Sequence, residues 1–380
     1  MKTYKRKQRL IHSIVSAMMI AALFIGLIPT ALAADKLPFS DVPSTHTYYD
    51  DICWAVENGI VIGCNGKFYP DEKVTLVQFY TMLSRSIPED ESDTSDHGAV
   101  KGSMIYHLRR AVYRGWTGKR GAEIELQKDS EIMAGRAWNY ALTATGTQVY
   151  TSRLYGQSPD TCKEGMNAAK SLGLAPDNAN AADLITRAQA VAIIHAAHSN
   201  TKALPEPPIV AEMKGVVKNL PQGVFNDFYA DMMAVPEQIR KAFVADGWTI
   251  SFDTEKINAY ANELGRGISG MTDYNSKQIY LAIESSFLHE MGHYYQQKLY
   301  ASGMDKNVYT AFDDFRAQEK WTGSLVASGS QSNGKEFFAD AFAYYVKNGV
   351  VRADPSGKDA DTGLKSQSYF DSLAARGWIY

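Results

Sequence analysis

The most restrictive feature of the sequence is internal repetition: from about Phe39 to Ser199 one plan recurs with a period of roughly fifty residues. A unit of that size cannot bury its apolar face alone, so the copies must pack on one another, and this half is expected to be a mainly α-helical three-repeat bundle. The copies span about 39–86, 98–145 and 156–199. The first is the clearest. Phe39-Ser40-Asp41-Val42-Pro43 leads into a helical pattern over Tyr49 to Gly59, the chain turns at Gly63, and Phe68-Tyr69-Pro70-Asp71 precedes a second helix, Leu76 to Ser84, with Thr75 as N-cap. The third copy carries Met166 to Leu174 and then Leu184-Ile185-Thr186-Arg187-Ala188-Gln189-Ala190, which opens a helix through Ile194. In the middle copy, Arg110-Ala111-Val112-Tyr113-Arg114-Gly115-Trp116 matches the first helix and turn, and the rest is loose.

Ahead of the repeats, Met1 to Arg9 is basic, Leu10 to Ile28 is apolar, and Ala31-Leu32-Ala33 has the small-x-small spacing of a signal-peptidase site. Residues 1–33 therefore read as a secretory signal; an uncleaved anchor is the alternative, since the apolar run is nearly long enough to span. No other stretch is apolar enough to cross a bilayer, so no membrane span is expected after cleavage. The formal net charge of -3 gives no reason to expect a nucleic-acid partner. Cys53, Cys64 and Cys162 are too few for a disulfide framework, although export would permit a Cys53 to Cys64 bridge.

Prolines at 205, 207 and 208 disfavour a regular helix, which makes 200–210 a linker and 211–380 a second domain large enough for its own core. Its pattern alternates helices (Pro236 to Phe243, Ile257 to Leu264) with strands (Trp248 to Phe252, Ile268 to Tyr274, Gln278 to Ile283). A helix then runs from Ser285 or Ser286 to about Ala301 and contains His289-Glu290-Met291-Gly292-His293. Imidazoles four residues apart share a helix face and can converge on one tetrahedral zinc ion, and the intervening Glu290 can serve as general base toward a water there.

Such a site needs a third protein ligand. His289 and His293 are the only histidines after His198, so a carboxylate has to serve. Glu336, in the first turn of an apolar-rich helix from Asn333 to about Gly349, is the best candidate. Asp340, one turn later on the same face, is suited to accept the outer N–H of a ligand histidine. Glu284, Asp313, Asp314 and Glu319 are the competing acids.

Two resemblances follow from these residues. Phe39-Ser40-Asp41-Val42, the turn from Gly59 to Gly63, and Ile185-Thr186-Arg187-Ala188-Gln189 resemble the S-layer homology repeat over about 160 residues. That resemblance implies a pseudo-threefold bundle whose grooves hold secondary cell-wall polysaccharide, and hence a secreted protein kept at the cell wall or S-layer surface. Arg187, a cation at a helix start, suits an anionic sugar substituent, with Arg85, Arg109 and Arg114 as further cations. The first copy has Leu76 where the family has arginine, and repeats that merely support the fold are the alternative.

The pair His289-Glu290-Met291-Gly292-His293 and Glu336-Phe337-Phe338-Ala339-Asp340-Ala341-Phe342 is similar to the zinc domain shared by anthrax lethal factor and the secreted Pro-Pro endopeptidases. It implies an α+β zincin-like metallopeptidase domain with Zn2+ held by His289, His293 and Glu336, Glu290 as base, and a peptide or protein substrate. The family also has a tyrosine a few residues before the third ligand that stabilises the oxyanion. Here Leu325 to Ser332 contains none, Ser328 occupies roughly that place, and Tyr309 is another candidate donor. Two functions are therefore expected to compete: an envelope-anchored zinc metalloendopeptidase, and a structural or adhesive wall-binding protein whose peptidase fold has lost most of its activity.

Overall fold

The computed structural model describes residues 37–90, 93, 98–117, 125–155, 161–319, 332–351 and 364–378. The expected signal segment lies outside the described residues, as does 320–331, which holds most of the stretch lacking the family tyrosine.

The first half is helical: α1 (Tyr49–Glu57), α2 (Leu76–Ser86), α3 (Met104–Tyr113), α4 (Ala134–Ala144), α5 (Thr161–Leu172) and α6 (Arg187–Ser199). Thr75 opens α2 and Thr186 opens α6 with the same reciprocal cap, the hydroxyl taking the backbone N–H of Gln78 or Gln189 while that glutamine's side chain accepts from the cap. Helix α4 starts after Met133 with no side-chain cap, which explains why its start is faint in the sequence.

The three helix starts are tied in a closed ring. Val74 N–H donates to Ile185 C=O (3.2 Å), Ile185 N–H to Ile132 C=O (3.2 Å), and Ile132 N–H to Val74 C=O (2.9 Å). These buried residues thus satisfy in one another the backbone groups that each lead-in segment would otherwise leave unpaired. Helices α4 and α5 cross closely enough that a Cβ on Gly135 would collide with the Cys162 carbonyl, and one on Gly165 with the Gly135 carbonyl.

Of the expected cations, Arg109 donates to Glu125 (2.7 Å) and to Gly98 C=O (2.6 Å), and Arg114 is tied into the interior together with its neighbour Arg110. Arg110, 1% exposed, donates to Ser84 C=O (2.6 Å), Pro88 C=O (2.9 Å) and Asp93 Oδ2 (2.9 Å), and Arg114 pairs with the same carboxylate (2.7 Å). Burial opposes ionisation of Asp93, yet the two guanidiniums outweigh it and hold its pKa well below the usual carboxylate range. Beside them His107 meets Ser84 Oγ at 2.9 Å, and burial together with the charges of Arg85 and Arg110 pushes its pKa down to about 4. All three cysteines are free thiols, so the Cys53 to Cys64 bridge is not formed.

The second half begins earlier than composition suggests. A short helix, α7 (Pro208–Glu212), starts inside the expected linker and runs past its end, with Pro208 at a first-turn position that needs no backbone N–H, and it buries Ile209 and Val210 in the second core. Helices α8 (Phe225–Ala234), α9 (Glu237–Ala245), α10 (Thr254–Leu264), α11 (Phe287–Ala301), α12 (Val308–Glu319), α13 (Gly334–Asn348) and α14 (Lys365–Ala375) surround a small mixed sheet. Its strands β1 (Val217–Lys218), β2 (Thr249–Phe252), β3 (Gly270–Asp273) and β4 (Gln278–Leu281) stand in the order β1-β2-β4-β3. The first three in that order are parallel, and β3 pairs antiparallel with β4 at the edge.

The two halves also touch. The connection between the second and third copies buries Leu154 in the C-terminal core, and Asn226 of α8 bonds both Thr151 N–H (3.1 Å) and Val149 C=O (3.0 Å).

Two outcomes follow. Gly165→Ala should lower stability by about 1–3 kcal/mol, read by urea unfolding, because the overlap falls on backbone that cannot rotate away. The depressed pKa of His107 makes its contribution complete above 6.5 and lost as pH falls toward about 4, so stability should decline through that window. His107→Gln should flatten the slope.

Candidate metal centre

The site is made by two helices and the edge strand. Along α11 the residues Phe287, Leu288, Met291, Tyr295 and Leu299 enter the core, which leaves His289 and His293 on the opposite face. Along α13, Phe337, Phe338, Ala341 and Phe342 do the same, and Glu336 and Asp340 face outward one turn apart.

Glycine lets these faces meet. A Cβ on Gly292 would lie 2.7 Å from Ala339 Cα and 3.0 Å from Ala339 O, so α11 and α13 cross nearly backbone to backbone there. The start of α13 is fixed from outside. Asn333 accepts from Lys335 N–H (3.0 Å) and Glu336 N–H (3.1 Å), and Asp313 of α12 accepts from Gly334 N–H (2.7 Å).

His289, His293 and Glu336 consequently converge, with their ligand atoms all within 4.8 Å of one another. His289 Nε2 lies 3.0 Å from His293 Nε2 and 3.2 Å from Glu336 Oε2, and His293 Nε2 lies 3.7 Å from Glu336 Oε1. Asp340 Oδ1 is 2.6 Å from His289 Nδ1, which assigns the proton to Nδ1 and turns the Nε2 lone pair toward the cluster. Three electron-pair donors aimed at one point repel unless a cation separates them. Two imidazoles and a carboxylate with open space beyond suit zinc, which takes nitrogen and oxygen donors and keeps one position for water. A proton is the other cation able to sit there. Burial disfavours charge on His289, but Asp340 and Glu336 outweigh it and push its pKa up to about 10, while burial and the neighbouring His289 push that of His293 down to about 4.

Glu290 is 5% exposed and turned toward β3, where Thr272 Oγ1 donates to its Oε2 (2.6 Å). Burial raises its pKa above the usual range, and the Thr272 bond opposes that rise. A Cβ on Gly270 would lie 2.6 Å from Glu290 Oε1, so a side chain there would displace the Glu290 carboxylate from this position.

The cluster opens on a cleft of about 630 Å³. Among the competing acids, Asp313 is engaged with Gly334, and Glu319 accepts from Ser366 N–H (2.8 Å); they anchor α13 and α14. Among the described residues His289, His293 and Glu336 are the one group able to hold a metal ion. Tyr309 donates to Gln297 (2.6 Å) and does not line the cleft, whereas Tyr274 and Tyr260 do. Sequence reasoning missed Thr272 and Gly270, because what selects them is contact with a helix well downstream.

In the first half, Arg187 is turned inward. Its Nε donates to Phe68 C=O (2.8 Å) and its guanidinium lies over the Phe68 ring at 5.1 Å, tying the third copy to the first. A separate cleft of about 410 Å³ is lined by Trp54, Asn58, Arg85 and His198.

Comparison with known proteins finds an S-layer homology domain at residues 38–79. Domains of this family bind cell-wall polysaccharide, and the match associates the chain with the cell surface. No curated protein matches the chain. No helix among the described residues is long and apolar enough to cross a membrane.

If the cluster takes zinc, Asp340→Asn should weaken that binding about ten- to a hundredfold in a calorimetric titration, since the amide still fills the space but no longer charges the bond that orients His289.

Proposed function

We propose that the chain is a zinc metalloendopeptidase of the cell envelope, with its first half binding secondary cell-wall polysaccharide and its second half hydrolysing peptide bonds of extracellular proteins. The observation that carries the catalytic part is the placement of Glu290: a buried carboxylate adjacent to the metal-type cluster, held by Thr272 and not itself among the ligands. A domain that kept metal only for stability would have no use for such a group.

In this reading His289, His293 and Glu336 hold zinc, and Asp340 keeps His289 in the tautomer that presents Nε2. The bound ion would supply Lewis acidity and make a water acidic enough to attack near neutral pH. Glu290 takes the proton of the attacking water and delivers it to the leaving amine. Its raised pKa favours that return step, and Thr272 keeps the carboxylate available for the first one. The β3 edge gives an extended substrate backbone a place to pair beside the helix.

For the wall-binding part, support comes from the S-layer homology match at 38–79 and from the cleft beside Trp54 and Arg85, where an aromatic face and a cation suit an acidic sugar. Arg187 is a poorer candidate than its position in the motif suggests, since its Nε and ring contact are already used.

Glu290→Gln should retain zinc and lose cleavage of a peptide library; a zinc-loaded variant that still cleaves would refute the assignment. Thr272→Val should raise the pKa of Glu290 and move the acid limb of the pH–rate profile to higher pH, because removing the bond destabilises the ionised base. Sedimentation of the full chain with purified walls, with and without Arg85→Ala, tests the anchor.

A further inference from the structure

Beyond the metal cluster, the cleft walls carry a distinctive chemistry. Of thirteen large apolar side chains exposed among the described residues, four line this one cleft: Tyr260 and Leu264 on α10, Tyr274, and Ile283. Exposed apolar surface gathered at one concave place marks a binding surface, where the same residues scattered singly would not.

The charges are equally one-sided. The carboxylates lining the cleft are Glu290, Glu336 and Asp340, and each is already engaged, by Thr272 or by the histidines. Of the two cations, Arg266 forms no side-chain hydrogen bond or ion pair among the described residues, although its charge reaches Glu336, and Lys335 forms no ion pair there but holds its Nζ over the Tyr309 ring at 5.3 Å. Arg266 sits in the loop between the left-handed Gly265, which ends α10, and the start of β3, so it reaches the cleft beside the apolar pair Tyr260 and Leu264. Lys335 reaches it from the first turn of α13, next to Glu336. A divalent ion among the donors would cancel much of the carboxylate charge and leave these cations to set the sign of the field.

We infer that the cleft selects an extended peptide carrying an acidic side chain next to a large apolar one, with Arg266 as the principal determinant and Lys335 as a second cation. This rests on the peptidase reading and adds the substrate class to it. Glu or Asp meets the guanidinium of Arg266 through charge-assisted hydrogen bonds, and its neighbour packs on Tyr260 and Leu264. A basic residue at the same place would be repelled.

The test uses the full chain loaded with zinc and carrying Glu290→Gln, with fluorescent peptides that differ only in Glu, Gln or Lys beside a leucine, read by anisotropy. The Glu peptide should bind roughly tenfold more tightly than the Gln peptide, and the Lys peptide more weakly than either. The advantage should shrink with added salt. Arg266→Gln should remove most of it, and Arg266→Glu should reverse the order of the Glu and Lys peptides. Equal binding of the three peptides, or an acidic preference that survives both Arg266→Gln and Lys335→Gln, overturns the inference. The wild-type protein separates the two levels: cleavage of all three peptides at equal rates refutes only the charge selection, whereas neither cleavage nor binding of any peptide refutes the peptidase reading and the inference with it.

Discussion

The close crossing of α11 and α13 at Gly292 and Ala339 is the constraint on which the second half depends. Two helices carrying aromatic core residues would ordinarily be held well apart by their side chains. Removing the side chain at one position and reducing it to a methyl at the other lets the backbones meet, and that sets the distance between His289, His293 and Glu336. The aromatic core on the far side, with Tyr295, Phe338, Phe342, Phe370 and Trp378 in mutual contact, keeps the helices from sliding. Outer contacts then refine each donor: Asn333 and Asp313 fix the turn that bears Glu336, Asp340 fixes the His289 ring, and Thr272 fixes Glu290.

The first half meets a different requirement, and does so with backbone hydrogen bonds. Each lead-in segment buries one apolar residue, Val74, Ile132 or Ile185, between exposed and half-buried neighbours, and the backbone groups of that residue need partners. The Val74, Ile132 and Ile185 ring supplies them, each residue donating to one of the others and accepting from the third. The same economy appears in Arg110, which binds carbonyls and Asp93 in the interior, and in Arg114, expected as a cation for an anionic sugar, which pairs with the same carboxylate. Long side chains with several donors are well suited to satisfying a buried turn, and that use competes with ligand binding.

Much was legible in the chain itself. Helix α11 ends at Ala301 as its pattern suggests, the strands over 249–252, 270–273 and 278–281 fall within the stretches expected, and Thr75 caps α2. These depend on local periodicity and capping chemistry, which neighbouring residues carry. Where reading failed, the deciding partner was distant. The helix starting at Pro208 forms because Ile209 and Val210 find a core, which outweighs the extended bias of the surrounding prolines. Leu154 belongs to the second core although it sits between two repeats, because α8 lies against it in space.

By itself the sequence determined the chemistry on offer: two imidazoles and a carboxylate on one helix, acids a turn apart on another, and no further histidine downstream to compete as ligand. Those follow from residue identity and helical pitch, which are local. Only the tertiary structure decided which acid joins the histidines, that Arg187 turns inward, that Thr272 and Gly270 shape the surroundings of Glu290, and that Arg266 and Lys335 share a cleft with exposed apolar side chains. Each of those is a distance between residues far apart in the chain, and such distances are set by how closely packed backbones can approach, a property of the assembled core that no single segment carries.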